Sequence, residues 1–178
     1  MNTKMSKLAL AIGALVMAGG AWATNDSATF DSTAAVASQC VVGNTSAMDF
    51  GTLVMLDATT GGLDTGKANG TGGFDATCTN GTALQTLKFA SLNGGGSAFK
   101  MKTGSGGLNE LIAYTLYEGA ADTGTAIAHN TLAAFTGFDA DGTVKSLQVT
   151  GKVLPAAKNS AKVGSYSDTV TITVGYTP

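Results

Sequence analysis

The chain has 178 residues, with twelve acidic side chains against ten lysines, no arginine and a net charge of −2; small residues set its character, among them 25 glycines. This balance excludes the clustered cations that nucleic acid and anionic membrane surfaces reward. One histidine and no Gly-x-Ser-x-Gly elbow argue against a hydrolase triad, because a nucleophile needs a base oriented beside it.

The first 23 residues read as a secretory signal: Lys4 and Lys7 form a positive start, Leu8 to Gly20 an apolar stretch, and Ala21-Trp22-Ala23 a small-x-small cleavage site. The apolar stretch is too short and too broken by glycine to span a bilayer comfortably. Cleavage leaves a chain from Thr24 of 155 residues with a net charge of about −4, the size of one domain with a real core. No second long apolar segment follows, so no membrane span is expected.

Next comes a period-2 stretch, Ala28 to Val36, in which Phe30, Ser32, Ala34 and Val36 share one face and Asp31, Thr33 and Ala35 the other. Further strands are expected at Gln39 to Val42, Met48 to Met55, Gly73 to Thr79, Leu87 to Leu92, Phe99 to Thr103, Ile112 to Glu118, Val144 to Val153 and Ser165 to Tyr176. The glycine clusters between them, at 59–62, 69–73, 93–97 and 104–107, read as loops. None has the strand-glycine-helix context of a phosphate loop. Ala156 to Lys162, after Pro155, reads as a helical turn or an irregular loop. Short strands punctuated by glycine make an all-β sandwich. The last candidate strand puts Val170, Ile172, Val174 and Tyr176 on one face, and no strand follows it; its free edge and the core beside it are expected to find cover elsewhere.

Cys40 and Cys78 both lie in the exported part, where an even count favours a disulfide worth roughly 4 kcal/mol in the chain-entropy model. The competing reading, a two-cysteine metal site, needs further ligands, and the lone His129 sits in a turn-like stretch. Asp139 and Asp141 read as an acidic turn rather than a calcium loop, whose later ligands are absent. Asp49 and Asp168 read as structural, bonding nearby backbone. Asn25, Asn44, Asn69 and Asn80 each open an Asn-x-Ser/Thr sequon, as chance allows in so threonine-rich a chain. Tyr114, Tyr117, Phe135 and Phe138 are candidates for core or for a ligand groove.

Four features in order go beyond composition: a strand at the start of the exported chain, the Cys40 that opens the domain, Met48-Asp49-Phe50-Gly51-Thr52-Leu53, and Gly164-Ser165-Tyr166-Ser167-Asp168-Thr169-Val170 leading into the terminal strand. Together they resemble the spore coat U family, which includes shaft pilins of archaic, Csu-type chaperone-usher pili, over essentially the whole exported chain. The resemblance implies an incomplete immunoglobulin-like β-sandwich, six-stranded and lacking its final strand, with no enzyme activity and no cofactor. Residues 24–37 would be a donor-strand extension and residues 38–178 the pilin domain. The donor would present Phe30, Ser32, Ala34 and Val36, and the acceptor groove would be bordered by Val170, Ile172, Val174 and Tyr176. A periplasmic chaperone fills the groove first, an outer-membrane usher exports the subunit, and a neighbouring copy or related pilin then completes it by strand addition. The expected product is a cell-surface fibre for attachment or biofilm. Two alternatives stay open: a self-contained exported sandwich binding carbohydrate or another small ligand through a groove at Tyr117 and Phe138, and a spore or cyst coat protein.

Overall fold

The computed structural model describes residues 28–96, 98–104, 110–121 and 123–177, with the side chain of Leu84 left aside. The expected signal segment, and with it Asn25, lies outside these residues. The chain falls into two compact units, Met1–Ala35 and Val36–Pro178. In the first, residues 28–35 form no helix or strand and are exposed. The expected strand at Ala28 to Val36 is therefore not formed here, since alternation specifies a face but supplies no ladder partner.

The second unit holds nine strands and one short helix among the described residues: β1 (Cys40–Ser46), β2 (Ala68–Cys78), β3 (Ala83–Ser91), β4 (Phe99–Thr103), β5 (Leu111–Glu118), β6 (Ala126–Ile127), β7 (Lys145–Val153), α1 (Pro155–Asn159), β8 (Tyr166–Ser167) and β9 (Val170–Thr177). Seven strands form one antiparallel sheet in the order β1-β2-β7-β5-β4-β8, with β6 paired to β5; β3 and β9 form a second, two-stranded sheet. The fold is an all-β, incomplete sandwich, a large curled sheet only partly faced by a small one. Its nine strands outnumber the six implied by the resemblance: β6 and β8 are two-residue pairings, and seven longer strands remain.

Alternation supplies the core. Phe74, Ala76 and Cys78 of β2, Leu147, Val149 and Val153 of β7, Ile112, Tyr114 and Leu116 of β5, and Phe99 and Met101 of β4 point inward and meet Leu87 and Phe89 of β3. Each large side chain so buried contributes about 1.5–3 kcal/mol relative to exposure. Phe74 stacks edge-on against Phe89 and Phe135, with ring centroids 5.8 Å apart in both pairs. Phe135, Phe138 and Tyr114 are thus core, the blander of the two expected roles.

The segment expected as a strand at Met48 to Met55 is instead an unpaired crossing, and the expected loop at 69–73 lies inside β2. One cause explains both corrections. Gly70 and Gly72 are buried on the inward side of β2, and Gly151 stands opposite Gly70 on β7. A Cβ on Gly70 would lie 2.6 Å from the Asp49 carbonyl oxygen, and one on Gly151 would meet Met48 Sδ and, at 2.5 Å, Phe50 Cζ. The missing side chains form a trough across the sheet, in which Met48 and Phe50 fill the core volume that a facing strand would otherwise supply. Glycine in a strand marks such close approach as well as a turn.

Residues 55–64 form a small hairpin closed by bonds from the Asp64 amide to the Met55 carbonyl and from the Asp57 amide to the Gly62 carbonyl, both 2.8 Å. It is tied to α1 by Lys158, 2% exposed, whose ammonium donates to the Asp64 carboxylate (2.6 Å) and the Gly66 carbonyl (2.8 Å). The Lys158 ammonium, helped by the Gly66 amide, holds the Asp64 carboxyl below the usual carboxylate range. A depressed carboxyl stabilises the fold above its unfolded pKa, and the contribution fades as pH falls through the folded value. Acidification is therefore expected to loosen this hairpin, read as lower hydrogen-exchange protection factors at the Asp57 and Asp64 amides. In Lys158→Met that protection should already be low at neutral pH; pH-independent protection in the unaltered protein would refute the clamp.

Candidate functional site

The site begins with an asymmetry between paired strands. β3 uses both edges: β9 pairs along one, and along the other Leu87 and Ala133 exchange backbone bonds of 2.8 and 3.0 Å while the Asn130 amide donates to the Phe89 carbonyl at 2.7 Å. β9 pairs with β3 alone and β1 with β2 alone, so among the described residues each keeps one edge without a ladder. β1 and β9 approach to within 8 Å at Cα positions, yet no ladder joins them. In register, Phe89 stands opposite Ile172 and Leu87 opposite Val174. Both β3 residues are only 2% exposed, whereas Val170, Ile172 and Val174, packed against the same core, are half-buried. Cover therefore stops between β3 and β9, leaving a cleft with an apolar floor and an unsatisfied backbone edge.

Val42 of β1 is half-buried on the other side of this cleft, and Tyr176 continues the inward parity of β9 at 38% exposure. The expected groove residues Val170, Ile172, Val174 and Tyr176 thus share a strand face. The expected donor residues are placed apart from any ladder, with Phe30 89% and Val36 84% exposed and Ser32 and Ala34 also exposed. Cys40 and Cys78 face each other across β1 and β2 and are joined by a disulfide, Cα atoms 4.0 Å apart. The metal alternative is thereby overturned for these cysteines, since a disulfide sulfur is no thiolate ligand. His129 is engaged by the fold: its Nε2 accepts the Ser91 amide at 3.1 Å, leaving Nδ1–H to donate to the Gly96 carbonyl at 3.0 Å.

The stretch expected as one strand from Ser165 to Tyr176 is split between the two sheets at Asp168. β8 belongs to the large sheet and β9 to the small one, and the Asp168 carboxylate fixes the switch. It accepts the Thr169 amide (2.9 Å), the Asn93 amide (3.3 Å) and side chain (3.1 Å), and the buried Tyr114 hydroxyl (2.7 Å). Burial, and next the bond to Asp168, push the Tyr114 hydroxyl well above the usual phenol range. Asp168 has the structural role expected of it, as does Asp49, which accepts the Gly51 amide at 2.7 Å; the partners Asn93 and Tyr114 carry no short-range signal. Asp168→Ala is expected to cost about 2–3 kcal/mol, as for a lost charge-assisted bond with a buried donor left unpaired, and to weaken the start of β9 in hydrogen exchange. Unchanged exchange there would refute the pivot.

A cavity of about 610 Å³ lies against the 48–55 crossing, lined by Met48, Phe50, Leu53, Met101 and Tyr166 among others, and it reaches Ser167 and Asp168 just before β9. Tyr117 lies on the outward parity of β5 with the Lys152 ammonium 5.3 Å from its ring centroid, while Phe138 is buried in the core. Phe138 belongs to no strand and is 5% exposed, so it offers no surface beside Tyr117 for the alternative ligand groove. Asp141 spends its carboxylate on its own turn, accepting the Thr143 amide (2.9 Å) and the Lys145 ammonium (2.5 Å). The Asn44 amide donates to Asp75 at 2.9 Å, so that sequon is tied into the β1–β2 face.

Comparison with known proteins adds a family to this geometry. The Spore Coat Protein U domain matches residues 26–173. Among curated proteins, none matches the chain. Among solved structures, a chain from work on the chaperone-tip adhesin complex in CFA/I fimbriae biogenesis is similar over 64% of this chain and 36% of its own length, at 16% identity and a TM-score of 0.42.

Proposed function

Because this chain belongs to the spore coat protein U family, we propose that its open cleft accepts the N-terminal segment of a neighbouring copy and that the protein is a structural shaft subunit of an extracellular chaperone-usher fibre. The observation that carries this reading is the half-covered face of β9 beside a fully covered β3. An inserted strand would bond to the free edge of β9 and cover Val170, Ile172 and Val174. Residues 28–37 suit the part: they are exposed, alternate in polarity and are free of regular structure.

Magnitudes favour a durable joint. Burying Phe30 and Val36 contributes about 1.5–3 kcal/mol each, and every net backbone bond adds about 0.5–1.5 kcal/mol. The contact is head to tail, so repetition gives an open fibre instead of a closed ring. Before assembly the same edge and floor need a temporary cover, which is the office of a periplasmic chaperone, with an outer-membrane usher passing subunits outward. The role is structural rather than enzymatic, and surface attachment or biofilm is its use.

Phe30→Asp tests the anchor. A carboxylate placed in an apolar cleft without a partner is strongly unfavourable, so fibres of the variant are expected to fall apart at lower temperature and lower denaturant concentration than the unaltered ones. Equal resistance would remove Phe30 from the joint.

A further inference from the structure

All three methionines among the described residues, Met48, Met55 and Met101, line the cavity that ends at Asp168, two residues before β9. Its floor and its wall differ in kind. Met101, Ile112 and Tyr114 are buried on β4 and β5 and held by their ladder. Met48 and Met55 instead lie on the 48–55 crossing, which belongs to no strand. Unbranched thioether side chains fill irregular space at small cost and recur at surfaces that accept more than one partner. Ser167 and Asp168 line the cavity and stand just before Val170 in the chain, so a strand laid along β9 and extended past Val170 would run toward it.

Resting on the donor-strand reading above, we propose that this cavity is an adaptable socket for one apolar end of the N-terminal segment of a second copy, Phe30 or Val36, and that it tolerates a change of size there. Selection among strands then falls to the segment's middle, where Ser32 and Ala34 are small. The fibre would accordingly admit related subunits that differ at the socket residue but not ones enlarged at the centre.

The test uses the full exported chain labelled at its methionine methyl groups and a synthetic peptide of residues 24–37. Peptide binding is expected to shift the Met48, Met55 and Met101 methyl signals, and substitution of either Phe30 or Val36, but not of both, should change those shifts. Replacing that residue by Leu or Met is expected to alter affinity by less than about threefold, as a flexible thioether lining allows. Enlarging the middle by Ala34→Leu should cost about fivefold to a hundredfold, the affinity equivalent of overpacking by 1–3 kcal/mol. Binding that leaves the methyl signals unmoved, or a tenfold loss on each resizing of the socket residue, would overturn the socket while leaving strand acceptance intact. Absence of any peptide binding would instead defeat strand acceptance itself.

Discussion

A chain lacking Thr24 to Ala37 is expected to form no fibres, yet to fold when a strand is supplied from outside. Both halves follow from the cleft. The unit that carries the core begins at Val36, and its ladders and its disulfide lie from Cys40 onward, so the deletion removes nothing that the sheets pair with. What it removes is the segment offered to the next copy. Electron microscopy and resistance to dissociation in detergent give the readout for assembly, and the addition of a peptide of residues 24–37 should raise the melting temperature of the truncated domain by mass action. Fibres grown from the truncated chain would refute the donor assignment.

Gly70→Val is expected to be the most damaging single substitution in the large sheet. Strand propensity alone predicts the reverse, since valine suits a strand better than glycine. The trough decides the sign. The first carbon of any side chain at this site meets the Asp49 carbonyl oxygen at 2.6 Å and Met48 Cγ at 3.0 Å, and the nearer contact is backbone that cannot swing away. Overpacking of this kind costs about 1–3 kcal/mol and sometimes more, and here the crossing that carries Met48 and Phe50 must lift off the core. Denaturant unfolding should show the loss, and Gly43→Val serves as control because nothing stands within 4 Å of its added carbon. Equal stability of the two variants would show that the trough is not tight.

How far the chain reveals itself depends on the range over which each signal acts. The 2-residue period is local, so β4, β5, β7 and the inward face of β9 are legible from the residues alone, with β4 matching Phe99 to Thr103 to the residue. Cys40 and Cys78 announce their bond through their even number and the export signal expected ahead of them. What escapes is set by contact between distant residues. The glycine-rich punctuation at 69–73 reads as a turn until Met48 and Phe50 are known to lie over it, and Ser165 to Tyr176 reads as one strand until Asn93 and Tyr114 are seen to grip Asp168. The clamp of Lys158 on Asp64 spans 94 residues and has no periodic trace at all. The cleft is intermediate: alternation marks its floor, while its openness is a property of the ladders around it.

The disulfide has a mechanical consequence. In the proposed fibre, tension arriving through a subunit's N-terminal segment first meets the ladders at Cys40, and Cys40 is covalently bonded to Cys78 at the far end of β2. Load therefore passes by a covalent path from the marginal strand into one flanked on both sides by β1 and β7, and the stretch between the cysteines, which are 38 positions apart, is shielded from extension. β1, paired on one side only, is spared the peeling force, and a pulled subunit resists at the paired interior of its sheet instead of at its rim.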